Sequence, residues 1–112
     1  MTVYVIQEPA GKNIISAQEY GTIKIILPAS SQVVFNSIPT MRKIYRALEN
    51  FNDDDYLLLL GDPVAIGIAA AIASRNNFGR VNMLKWDKQE FRYIPVTVDI
   101  NGDEEGYHEH LK

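Results

Sequence analysis

The sequence contains no cysteine, and its two histidines, His108 and His110, both fall within the last five residues. Disulfides, iron–sulfur clusters and thiol nucleophiles are therefore excluded. A histidine-based nucleophilic triad has no candidate in residues 1–107. The His-Glu-His run is a weak metal-binding pattern, because no nearby residue supplies a fixed third ligand. We predict no catalytic residue, no metal and no cofactor.

Long apolar runs are also missing. No stretch of about 18 residues is both apolar and free of charge, as a membrane-spanning helix requires. The first residues, MTVYVIQEP, lack the basic region followed by an apolar region that marks a secretory signal. We therefore expect a cytoplasmic protein with neither a membrane anchor nor an export signal.

The net charge is only −3 at pH 7, and it is unevenly distributed along the chain. Residues 1–98 are nearly neutral, whereas acids predominate from Asp99 onward. We predict one α/β domain over residues 1–100 and an acidic segment over residues 101–112. That segment is either a solvated tail or an arm that docks on a basic partner.

Apolar periodicity predicts two main helices. The first covers residues 39–51, with Ser37 or Thr40 as its N-cap. The second follows a Gly-Asp-Pro corner, runs to Asn76 and ends at a left-handed Asn77 or Gly79. The buried stripe of the first helix is expected to comprise Met41, Ile44, Tyr45 and Leu48.

Six strands are predicted around these helices, in the order β-β-β-α-β-α-β-β. This order predicts an α/β fold with a mixed sheet of about five or six strands and two main helices. Pro95 cannot donate to a ladder, so the last strand is expected at a sheet edge. The predicted strands cover residues 2–6, 21–27, 32–36, 56–60, 80–87 and 90–100.

The corner after the fourth predicted strand is the clearest candidate for a ligand site. Asp62 and Pro63 suit the N-cap and first position of a helix, and helix N-termini after strands often bind anions. A single glycine, a nearby carboxylate and the N–H missing from Pro63 disfavour phosphate. We therefore predict a structural cap. Gly61 and Asp62 remain candidate ligand-binding residues for a cation, a sugar hydroxyl or a partner's donor.

The second helix has almost no polar side. We expect its small residues to pack against the sheet. A chain of this length has little mass to cover the remaining apolar side chains, so one hypothesis is that a homodimer buries part of them. The small row comprises Gly67, Ala71 and Ser74, and the bulky row comprises Val64, Ile68 and Ile72.

Basic residues fall into two groups, which are the candidate interaction surface. Arg42 and Arg46 lie on the outer face of the first helix. The second group lies on the last hairpin, where bases alternate with aromatic residues: Lys85, Trp86, Lys88, Arg92 and Tyr93. This composition is typical of a solvated face, a protein-binding surface or a single-stranded nucleic-acid surface. The overall acidity of the chain disfavours nucleic acid.

Four stretches are spread over most of residues 2–100: TVYVIQEP (2–9), YLLLLGDPVAIGIAAAIA (56–73), GR (79–80) and LKWDKQEFRYIPVTVDI (84–100). Together they resemble small uncharacterised proteins of tailed bacteriophages, marine podoviruses among them. No catalytic residue carries over from this resemblance. It implies a phage context, in which small proteins often bind a host or phage macromolecule in the host cytoplasm.

The leading interpretation is a non-enzymatic interaction module, a phage accessory protein acting on a host or phage macromolecule, with a host or phage protein as its partner. The first alternative is a small-ligand-binding protein or enzyme with its site at Gly61 and Asp62. The second alternative is a nucleic-acid binder that uses the hairpin over residues 84–93.

Overall fold

The computed structural model describes residues 1–11, 14–33 and 37–102, which form a five-stranded mixed sheet and two main helices. The α/β class and the predicted order of elements are confirmed. Of the predicted strand 32–36, residues 34–36 lie outside the described residues, and residues 32 and 33 belong to no strand. The elements are β1 (Thr2–Gln7), a 3-10 helix (Ile15–Tyr20), β2 (Thr22–Leu27), α1 (Ser37–Leu48), β3 (Tyr56–Leu58), α2 (Pro63–Asn76), β4 (Arg80–Asp87) and β5 (Arg92–Asp99).

The strands follow the spatial order β2-β1-β3-β4-β5. The first four are parallel to one another, and β5 runs antiparallel to β4. Leu57 and Leu58 of β3 are fully buried, because this central strand is covered on both faces. β5 is an edge strand, as Pro95 predicts, and Pro95 lies opposite Leu84.

Both main helices pack on one face of the sheet. α1 contributes Ile44 and Leu48 to the core on this face. The prediction that Met41 and Tyr45 share the buried stripe is wrong: these side chains are 47% and 44% exposed. The buried row of α1 is narrower than predicted and runs through Thr40, which lies inside the helix instead of capping it. α1 begins at Ser37, so Ser37 is not an N-cap either.

α2 approaches the sheet through a row of alanines, Ala65, Ala69 and Ala73, each fully buried. Their small side chains let the helix backbone come close to the strands. The prediction that Gly67 and Ala71 form the packing row is wrong, because both are exposed. Small or apolar residues occupy nearly every position of α2. The spacing of these residues therefore did not show which row faces the sheet and which row faces solvent.

The opposite face of the sheet carries a second, smaller core beneath the 3-10 helix. Its buried members come from five elements: Val3, Val5, Ala17, Leu58, Leu84 and Tyr93. The hydroxyl of Tyr20 donates to the carbonyl oxygen of Tyr93 at 3.2 Å, which joins the 3-10 helix to β5. Across the described ranges, no helix is both long and apolar enough to cross a membrane.

Candidate functional site

The strand order creates a switch point between β1 and β3, because β2 lies on one side of β1 and the later strands lie on the other. Open α/β sheets bind ligands beyond the carboxyl ends of their strands at such a point. Gly61 and Asp62 lie there. The Asp62 carboxylate accepts the N–H of Val64 at 2.7 Å, and Pro63 is the first residue of α2, so the predicted cap is confirmed.

Gln7, at the end of β1, occupies the same switch point. Its side-chain oxygen accepts the N–H of Asp62 at 2.8 Å, and its amide nitrogen donates to the carbonyl oxygens of Pro28 and Ser31 at 3.3 and 3.2 Å. Only 7% of Gln7 is exposed. Both polar groups of the Gln7 side chain and the Asp62 N–H are thus hydrogen-bonded within the protein. The first predicted strand ended at residue 6, and the sequence did not reveal this contact, because it joins segments that are distant in the chain.

Gly61 is also fixed by Gln7. Its φ of +120° lies in the region that favours glycine, and a Cβ placed there would lie 2.4 Å from the Cβ of Gln7. The corner is therefore a close approach between two backbones. The structure brings both candidate ligand-binding residues, Gly61 and Asp62, to the carboxyl end of β3, where they contact Gln7.

The hairpin formed by β4 and β5 carries the second group of predicted residues. Trp86 and Tyr93 face each other across the strands, with ring centroids 5.0 Å apart in an edge-to-face arrangement. Tyr93 is a core residue, 4% exposed, that supports Trp86 from within. Arg92 donates to Glu90 at 2.7 Å. Beside these residues lies an open cavity of about 560 Å³, lined by Lys85, Trp86, Asp87, Lys88, Ile94 and Val96.

Phe91 is the unusual residue of this hairpin. It has a φ of +53°, a left-handed conformation that is unfavourable for a bulky side chain, and 77% of it is exposed. Phe78, in the turn after α2, shares both properties, with a φ of +56° and 76% exposure. Strained backbone conformations cluster at functional sites, so a strained residue whose side chain is exposed is a candidate for function. Composition alone gave no signal of this, because left-handed backbone at phenylalanine cannot be read from a sequence.

Arg42 and Arg46 line a different surface, a groove between α1 and α2. The groove encloses about 400 Å³ and is lined by Met41, Arg42, Tyr45, Arg46, Ile72 and Arg75. The predicted basic residues therefore divide between two separate surfaces and do not form one stripe. Arg75 completes the groove, because the packing of α2 beside α1 brings it there and not to the hairpin.

The acidic run before β3 has a structural role. Asp53 accepts from Arg80 at 3.0 Å and from the Asn77 amide at 2.8 Å, and these two groups hold the pKa of its carboxyl below the usual value. Asp55 accepts the N–H groups of Thr2 and Asn52. The part of the chain that the structure describes contains no group of three side chains suited to hold a metal. His108 and His110 lie outside it.

Comparison with known proteins identifies a family for the chain. No curated protein and no solved structure matches the chain. The sequence model of the family Phage Pam3 gp32-like protein matches residues 1–100, which include all five strands and both main helices. The predicted resemblance to small phage proteins is confirmed, and the chain belongs to the phage Pam3 gp32-like protein family.

Proposed function

We propose that this phage protein is a non-enzymatic interaction module that binds a host or phage protein through the tip of the β4–β5 hairpin. The observation that carries the proposal is Phe91, a large apolar side chain held in strained backbone and left exposed. A partner that buries this ring would remove a large apolar surface from water. Aromatic residues at the centre of interfaces commonly supply most of the binding energy.

The neighbours of Phe91 suit a protein partner. Trp86 is exposed, and its ring packs edge-to-face against the buried Tyr93. Lys85 and Lys88 border the adjoining cavity, whose apolar wall is formed by Ile94 and Val96. An apolar centre with a charged rim is the usual composition of a protein–protein interface.

The charges around the hairpin disfavour nucleic acid. Arg92 is paired with Glu90, and Asp87 lies in the same cavity wall as the two lysines. A nucleic-acid surface needs a continuous positive field, because neutralising phosphates supplies most of its affinity. The mixed signs support a protein with its own mixed surface.

Capture from infected host cells tests the proposal. Tagged wild-type chain and a Phe91→Gly variant are used in parallel, and Phe78→Gly is the matched control because Phe78 has nearly the same φ and exposure at the other end of the hairpin. We expect a protein that wild type and Phe78→Gly enrich equally and that Phe91→Gly does not. Equal enrichment by all three chains would contradict the assignment to the hairpin tip.

The homodimer and the location in the host cytoplasm belong to the same proposal. The outer side of α2 supports a second copy, because Val64 is 52% exposed and Gly67 and Ala71 also face solvent. Analytical ultracentrifugation of the wild-type chain at tens of micromolar should show a dimer. The Ala71→Glu variant should sediment as a monomer under the same conditions. A monomeric wild-type chain would refute the dimer and leave the hairpin proposal standing.

A further inference from the structure

The groove between α1 and α2, here called the arginine groove, combines three cations with apolar side chains. Its cations are Arg42, Arg46 and Arg75, and its apolar walls are Met41, Tyr45 and Ile72. None of these residues is acidic, and among the described residues no carboxylate forms an ion pair with any of the three arginines. The groove therefore suits an acidic segment that also carries apolar side chains.

The sequence supplies such a segment in residues 103–112, which lie outside the described residues. Acids and bases balance in residues 1–102, so the whole net charge of −3 belongs to residues 103–112. Asp103, Glu104 and Glu105 open this segment, and Tyr107 and Leu111 follow as its large apolar residues. Its composition complements that of the arginine groove in both charge and apolar content.

The described chain stops beside one end of the groove. Ile100 N–H donates to the carbonyl oxygen of Gly79 at 2.9 Å, and the Asn101 amide donates to that of Phe78, also at 2.9 Å. These bonds hold residues 100 and 101 against the turn that follows α2, and Arg75 lies in the last turn of α2. Residues 103–112 thus begin near the Arg75 end of the groove.

The length of the segment is sufficient. Asn76 at the end of α2 donates to the carbonyl oxygen of Leu48 at the end of α1, so both helices end on the same side as residue 102. Ten extended residues reach about 33 Å, whereas the twelve residues of α1 span about 18 Å. A tether this short gives an effective concentration on the order of millimolar, at which several weak ion pairs suffice for binding.

We propose that residues 103–112 bind in cis to the arginine groove, with their carboxylates on the three guanidinium groups and an apolar side chain against Met41, Tyr45 and Ile72. An anionic partner of this surface must then displace the segment first. The proposal concerns a surface separate from the β4–β5 hairpin, so its failure leaves the hairpin proposal unaffected.

A spin label tests this directly, because the chain has no cysteine and His108→Cys creates a unique attachment site. In the labelled full chain, we expect broadening of amide signals in residues 41–46 and 72–75, with signals of residues 85–94 unchanged. The broadening should persist on dilution and disappear in about 0.5 M salt, where exposed charges are strongly screened.

Two charge-reversal variants of the labelled chain complete the test. Arg42→Glu with Arg46→Glu should abolish the broadening, whereas Lys85→Glu with Lys88→Glu, an equal change of charge on the hairpin, should preserve it. All four positions are exposed, and unchanged signals elsewhere verify the fold. Absent or evenly spread broadening overturns the proposal. A mixture of spin-labelled chain and unlabelled, isotope-enriched chain detects binding between two copies. If broadening occurs only in this mixture, the groove binds the segment of a second chain, and the proposal of binding in cis is overturned.

Discussion

Replacing Phe91 with glycine should leave the stability of the fold nearly unchanged. Left-handed backbone costs a bulky L-residue about 1–2 kcal/mol, and glycine relieves this cost. Glycine adds about 0.5–1 kcal/mol of backbone entropy to the unfolded chain. Because 77% of Phe91 is exposed, only about 50 Å² of its surface is covered, worth about 1 kcal/mol. These contributions nearly cancel, and the net change should lie within about 1 kcal/mol of zero.

Urea unfolding of wild type and variant measures this change, with equal m-values as the sign that the folded and unfolded states are otherwise the same. Phe51 provides the contrast, since it is buried in the helix-side core and its replacement with alanine should cost about 3–5 kcal/mol. A loss of more than about 2 kcal/mol for Phe91→Gly would show that the ring stabilises the fold. That result would refute its interpretation as an exposed anchor.

Three further predictions follow from the corner and the acidic run. Gln7→Ala should destabilise the fold by about 2–3 kcal/mol in urea, because the N–H of Asp62 and two carbonyl oxygens lose their partner; a change below about 0.5 kcal/mol would contradict the contact. Gly61→Ala should lower the free energy of unfolding by about 3 kcal/mol, because the variant would carry backbone strain and a clash with Gln7. A variant as stable as wild type would refute this prediction. The folded pKa of Asp53 is lowered mainly by Arg80, so its contribution to stability is present above about pH 4 and is lost as pH falls through the lowered pKa. Asp53→Asn should flatten that part of the stability–pH curve, and an unchanged acid limb would argue against the pair.

The sequence carried enough information for the α/β class, because local patterns determine it. The continuous apolar run before the corner predicted a central strand, and Asp62 with Pro63 predicted the start of α2. Pro95 predicted an edge strand for a purely chemical reason, the absence of an N–H. These features depend on residues next to one another in the chain.

The candidate sites depended on contacts between distant segments, which the sequence did not reveal. Gln7 meets Asp62 only because β1 and β3 are neighbours. The inner row of α2 could not be separated from its outer row, since both consist of small residues. The arginine groove required α1 and α2 to pack side by side, which brought Arg75 into the same groove as Arg46.

The affinity of the purified partner for wild type and for Phe91→Gly is the most direct test of the hairpin proposal. Calorimetric titration should show at least a 30-fold weaker Kd for Phe91→Gly, which corresponds to about 2 kcal/mol for the loss of a central aromatic anchor. Phe78→Gly should bind like wild type. Equal dissociation constants for wild type and Phe91→Gly would contradict the assignment of the binding surface to the β4–β5 hairpin.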